Sequence, residues 1–101
     1  MPEIKTVIVG AKFRGPGAVT ATAGLAEGDD IELRREPKNQ YDANACACYF
    51  RGEHIGYIPA KQNGDIARAL DGSHAVTAVV ADAAIMIGGG IKEVPRIIVR
   101  F

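Results

Sequence analysis

The apolar and polar positions along the chain alternate in short stretches, which is the mark of strands rather than of long helices. Residues 4–13, Ile4 to Phe13, are rich in β-branched side chains without helical spacing and predict a first strand, ended by the turn cluster Gly15-Pro16-Gly17. Residues 18–26 are small and Ala/Thr-rich, which fits either a short helical turn or an irregular crossing segment. After the turn signal Glu27-Gly28-Asp29-Asp30, residues 31–36 alternate as a second strand until Pro37, which lacks the N–H that a ladder needs. A polar loop over 38–44 leads into a third strand, 45–50, where Cys46, Cys48 and Phe50 share a face.

Arg51-Gly52-Glu53 is short enough for a hairpin, so 54–58 returns as a fourth strand. Pro59 suits the entry to a helix, and the spacing of Ile66, Ala67 and Leu70 predicts one over 60–71, with Gly72 as its stop. Residues 75–81 form a fifth strand and 95–101 a terminal one. Between them lies a possible strand at 84–87, followed by Gly88-Gly89-Gly90, which reads as a flexible hairpin loop. About six short strands with one or two helices predict a mainly β fold, a small barrel of oligonucleotide-binding-like or SH3-like type, because closure removes exposed strand edges. No internal repeat or linker interrupts the pattern, so residues 1–101 read as one domain.

Composition refines this picture more than it changes it. No apolar run nears the ~20 residues that span a bilayer, and the start, Met1-Pro2-Glu3-Ile4-Lys5, lacks a signal-peptide pattern; the expectation is a cytoplasmic protein without a membrane partner. Cys46 and Cys48 stand i, i+2 on one strand face, roughly 6.6 Å apart with parallel side chains, a geometry that disfavours a disulfide. With only His54 and His74 in addition, a metal site lacks ligands, so no metal or other cofactor is expected and the thiols read as structural. The histidines have no evident nucleophile or carboxylate partner, and no catalytic residue is assigned. Twelve basic residues cancel twelve acidic ones, which argues against broad wrapping of duplex DNA but leaves room for a local basic pocket.

One stretch is more specific than the rest. Arg35-Glu36-Pro37-Lys38-Asn39-Gln40-Tyr41-Asp42-Ala43-Asn44-Ala45 is followed, after the hairpin, by His54-Ile55-Gly56-Tyr57-Ile58-Pro59. This series resembles the HIRAN family, in which a strand ending in R-E-P runs through N-x-Y-D-x-N-A to a hairpin ending in I-G-Y-I-P. Val9-Gly10-Ala11-Lys12-Phe13 stands where that family has its opening V-G strand, and the resemblance covers roughly residues 7–80.

The resemblance implies a modified oligonucleotide-binding-like barrel that binds the 3′-hydroxyl end of single-stranded DNA in helicases that remodel replication forks. It implies that Asp42 accepts a hydrogen bond from the terminal hydroxyl, that Phe13 and Tyr41 sandwich the terminal base, that Asn39 touches the base edge or backbone, and that Lys12 and Lys61 meet phosphates. Three positions depart from the helicase pattern: Phe13 stands for a tyrosine, Arg14 replaces the second of two paired aromatics, and Ala60 stands where a basic residue is expected, with Lys61 one position late.

Physically, stacking a base on an aromatic ring contributes roughly 1–3 kcal/mol without sequence preference. A carboxylate repels phosphate yet accepts from a free hydroxyl, so Asp42 in a basic surround selects a strand end. The competing local reading is that Asn39, Asp42 and Asn44 only cap turns, that Tyr41 only covers the barrel mouth, and that Arg34 and Arg35 are a solvated strand face. At the level of function, the alternative to a DNA-end binder that works with a helicase or nuclease partner in trans is a protein-interaction module on the same barrel.

Overall fold

The computed structural model of the chain describes residues 2–101. In chain order the elements are β1 (Glu3–Val7), α1 (Ala11–Arg14), α2 (Pro16–Ala23), β2 (Asp30–Arg35), β3 (Cys46–Phe50), β4 (Glu53–Tyr57), α3 (Gly64–Asp71), β5 (Thr77–Asp82), β6 (Ile85–Ile87), β7 (Gly90–Glu93) and β8 (Arg96–Arg100). Six strands form one antiparallel sheet in the order β1-β8-β5-β2-β3-β4, and β6 and β7 make a separate two-stranded hairpin.

The large sheet curls into a half-barrel because its inner face is the apolar half of each alternation: Ile31, Cys46, Cys48, Val80, Ile97 and Val99 all point into one core. Helix α3 covers this core with Ile66, which is fully buried, together with Ala67 and Ala69. Burying one such branched side chain contributes roughly 1.5–3 kcal/mol. The free thiols Cys46 and Cys48 are part of this core, and burial raises both, Cys46 to about 11.

The two edges of the curled sheet meet at one point. Just past β1, Val9 forms an antiparallel bridge with Tyr57 of β4, with N–H to carbonyl distances of 3.0 and 2.9 Å. Gly56 makes this approach possible. It has φ of +148°, and a Cβ at that position would run into the Val9 carbonyl oxygen.

Several elements differ from the sequence-based expectation. The first strand ends at Val7 rather than Phe13, because Gly10 in the left-handed region (φ 90°) turns the chain into α1. Residues 16–23 are a full helix, entered at Pro16 in its first turn. Helix α3 starts at Gly64 rather than at 60, since residues 60–62 form a turn in which the Gln62 N–H donates to the Pro59 carbonyl. Among the described residues there are thus three helices, not one or two. The hairpin at 84–93 has a second strand, β7, joined to β6 by Gly88-Gly89, both at positive φ as a two-residue turn requires. Among the described residues no helix is long and apolar enough to cross a membrane.

Candidate nucleic-acid interface

Where α1 and the residues that lead into it, the 36–45 loop and the exit of β4 converge, a cleft of about 450 Å³ opens at the surface. The buried side chains of Ala45 and Ile58 are at its base, and Phe13, Arg14, Asn39, Tyr41, Asp42 and Tyr57 line it. Phe13 and Tyr41 are 82% and 88% exposed, too open for either ring to be serving the core.

Each aromatic is presented by local backbone structure. α1 is a single turn between two glycines at positive φ, Gly10 and Gly15, and the Phe13 N–H donates to the Gly10 carbonyl at 3.0 Å. Ala11 is buried and anchors the turn, so Phe13 stands clear of the body with the Lys12 ammonium 5.2 Å from its ring centroid.

Tyr41 and Asp42 are set by an Asx turn. The Asn39 side-chain oxygen accepts from the N–H groups of Tyr41 (2.9 Å) and Asp42 (3.1 Å), while its amide donates to Glu36 at 3.0 Å. One amide N–H of Asn39 remains for a ligand.

The same Glu36 oxygen accepts from the Tyr57 hydroxyl at 3.0 Å, joining β2, the loop and β4. Burial by itself would raise the Glu36 carboxyl; the hydrogen bonds from Asn39 and Tyr57, with the charges of His54 and Arg14, outweigh it and bring the group below its ordinary value. Burial, then the Arg14 cation, lowers His54, and burial, then the Glu36 bond, raises Tyr57. Arg14 therefore projects its charge onto the polar wall of the cleft.

Asp42 is held from two sides. One carboxylate oxygen accepts from the Asn44 N–H at 2.9 Å, and the other from the Asn63 amide at 2.8 Å. A carboxylate has about four acceptor positions, so it can still accept from an incoming hydroxyl. Asn63 is 2% exposed and makes no capping bond to α3, whose first residue it precedes. The sequence did not single it out, since a helix expected over 60–71 makes Asn63 one more polar position within it.

Arg35 is likewise not a solvated strand residue. Its side chain is only 14% exposed, and the guanidinium pairs with Asp71 at 2.9 Å and donates to the carbonyls of Ala43 (2.9 Å) and Ala45 (2.8 Å), clamping the loop onto the end of α3.

Of the residues singled out from sequence, Phe13, Arg14, Asn39, Tyr41 and Asp42 share this cleft, and Lys12 lies against Phe13. Lys61 does not line it. It lines a separate depression with Ile4, Gln62, Gly64 and Asp65. No metal-binding cluster of His, Cys, Asp and Glu occurs among the described residues.

Comparison with known proteins points to one family. The family model described as the HIRAN domain matches residues 3–85. The fold is shared with the crystal structure of the HIRAN domain of human HLTF (TM-score 0.72, 18% identity, covering 96% of this chain and 72% of that one). It is shared equally with a protein from Lactobacillus plantarum (TM-score 0.71, 21% identity, covering 99% of this chain and 100% of that one). No curated protein matches the chain with significance.

Proposed function

The chain belongs to the HIRAN domain family, known in general for DNA binding, and from that premise we propose that it is a non-catalytic module that grips the 3′-hydroxyl end of single-stranded DNA. The observation that carries this is the grouping of two exposed aromatic rings, Phe13 and Tyr41, with the Asp42 carboxylate and the Arg14 cation in one cleft. The rings supply stacking that tolerates any base, and Arg14 and Lys12 supply attraction for the backbone. Asp42 supplies the discrimination. It accepts from a terminal hydroxyl, and it repels a phosphate at the same point, so a continuing strand or a phosphorylated end fits badly. Such a module acts in repair or replication-fork processing beside a helicase or nuclease that provides the chemistry.

The test is fluorescence anisotropy of a short single strand ending in a 3′-hydroxyl or a 3′-phosphate, at fixed moderate salt. The wild type binds the hydroxyl end more tightly. Asp42→Asn keeps the acceptor oxygen facing the Asn44 N–H, puts an amide NH2 in place of the oxygen that accepts from Asn63, and removes the negative charge, so the preference between the two ends shrinks by about tenfold, the scale of one charge-assisted hydrogen bond. Equal binding of both ends by the wild type would sink the reading. Absence of any binding would shift the choice to a protein-interaction module, for which the exposed Ile85 and Ile87 of the β6–β7 hairpin are the natural surface.

A further inference from the structure

The zero net charge conceals an uneven partition of the basic residues. Arg34, Arg35, Arg68 and Arg100 are each engaged in an ion pair, with Glu32, Asp71, Asp65 and Glu3 respectively. Eight basic residues are outside these pairs; Lys5, Lys12, Arg14, Lys61 and Arg96 line or border three concavities, whereas Lys38, Arg51 and Lys92 line none of them. Lys12 and Arg14 are at the cleft; Lys61 lines the neighbouring depression; Lys5 and Arg96 line a third, of about 500 Å³.

The three concavities are joined by one short segment of chain. Pro59 and Ala60 form a wall of the cleft, Lys61 and Gln62 line the second depression, and Gln62 also lines the third. Gln62 is fixed there. Its side-chain oxygen accepts from the Thr6 hydroxyl at 2.5 Å and its amide donates to the Lys5 carbonyl at 3.4 Å, which seats the segment on β1. In the β1–β8 ladder Lys5 is opposite Ile98 and Val7 opposite Arg96, so the two cations leave the same face at diagonal positions, roughly 7–8 Å apart. Two successive phosphates of one strand can bridge that spacing. The acidic groups nearby are Glu3, on the same face of β1 as Lys5 and paired with Arg100, Asp65, which Arg68 neutralises, and Asp82, which is opposite Arg96 in the β5–β8 register without forming an ion pair with it.

We propose that a DNA strand whose 3′ end occupies the cleft passes over Lys61 and Gln62 and lays the phosphates of its preceding nucleotides against Lys5 and Arg96. This path rests on the end-binding reading of the cleft. It assigns Lys5 and Arg96 to backbone contact, and it accounts for Lys61 being placed outside the cleft yet adjacent to it. The contacts are with phosphates only, so they add affinity without sequence preference.

Strand length separates the path from the cleft. Anisotropy is measured with 3′-hydroxyl single strands of about three and about ten nucleotides, the shorter too short to pass Lys61. The proteins are the wild type, Lys5→Gln/Arg96→Gln, and Lys92→Gln as an equal kind of charge loss on β7, at a residue that lines none of the three concavities. The wild type binds the longer strand about tenfold more tightly, and the double variant loses that gain while binding the short strand as before. Its slope of log affinity against log salt for the longer strand falls by roughly 0.7 for each contact removed. A gain from length that survives in the double variant, a gain that Lys92→Gln removes equally, or no gain in the wild type would each overturn the path. If the wild type fails to bind even the short strand, the end-binding reading itself falls, and the path with it.

Discussion

At the scale of single residues, the site depends on polar groups that hold other polar groups. Asp42 and Asn63 are the clearest pair: a loop carboxylate whose orientation is set by a buried amide at the entry to α3. Asn63→Ala removes a hydrogen bond to a charged acceptor in a buried setting, which costs about 1–3 kcal/mol of stability. It also frees the carboxylate to rotate. The measurement that isolates positioning from mere destabilisation is the ratio of affinities for 3′-hydroxyl and 3′-phosphate ends. That ratio falls toward unity in Asn63→Ala, whereas a substitution that only loosens the fold weakens both ends alike.

At the scale of elements, the 36–45 loop is an ordered structure despite its polar composition. Glu36 collects the Asn39 amide and the Tyr57 hydroxyl, and Arg35 collects two loop carbonyls and Asp71, so β2, β4 and α3 all hold it. The protonation of this network has a definite sign. Glu36 is below its ordinary 4.5 and His54 below its ordinary 6.5. In both cases the folded state binds protons less readily than the unfolded chain. The stability they contribute is complete above those ordinary values and is lost as pH falls, from 6.5 downward for His54 and from 4.5 downward for Glu36. Thermal melts across this range therefore show stability falling with acidity, and Glu36→Gln flattens the lower part of the curve. A Glu36→Gln profile parallel to the wild type below pH 4.5 would show that the network does not couple to folding.

At the scale of the whole molecule, the half-barrel is closed at one point, the Val9–Tyr57 bridge, and that closure builds the cleft, since Val9 and Tyr57 both line it. Gly56→Ala puts a methyl group against the Val9 carbonyl at a φ that L side chains rarely adopt. The combined strain and overpacking cost about 2–4 kcal/mol. Chemical denaturation reads the loss, and DNA affinity declines with it, because the cleft separates along the same seam. A variant as stable as the wild type would mean that the edges need not approach so closely.

The chain's own order of residues determined the features that arise over short distances. Strand alternation at 31–36 and 45–50, the hairpin turn at Arg51-Gly52 and the Asx-type loop at 38–44 depend on neighbours within a few positions, so period and turn chemistry revealed them. The grouping of Asn39, Tyr41 and Asp42 was legible from the ordered motif series that resembles the HIRAN family, not from period or turn chemistry. The end of β1 at Val7 was not, because a β-branched run offers no local cue that Gly10 turns the chain and that residues beyond it serve α1. Only the tertiary structure decided which arginines are neutralised, that Asn63 holds Asp42 from 21 residues away, that Arg35 grips α3, and that Lys61 is outside the cleft. Those outcomes depend on how the sheet curls, and curling is set by the burial of the whole inner face together, a quantity that no single stretch of sequence contains.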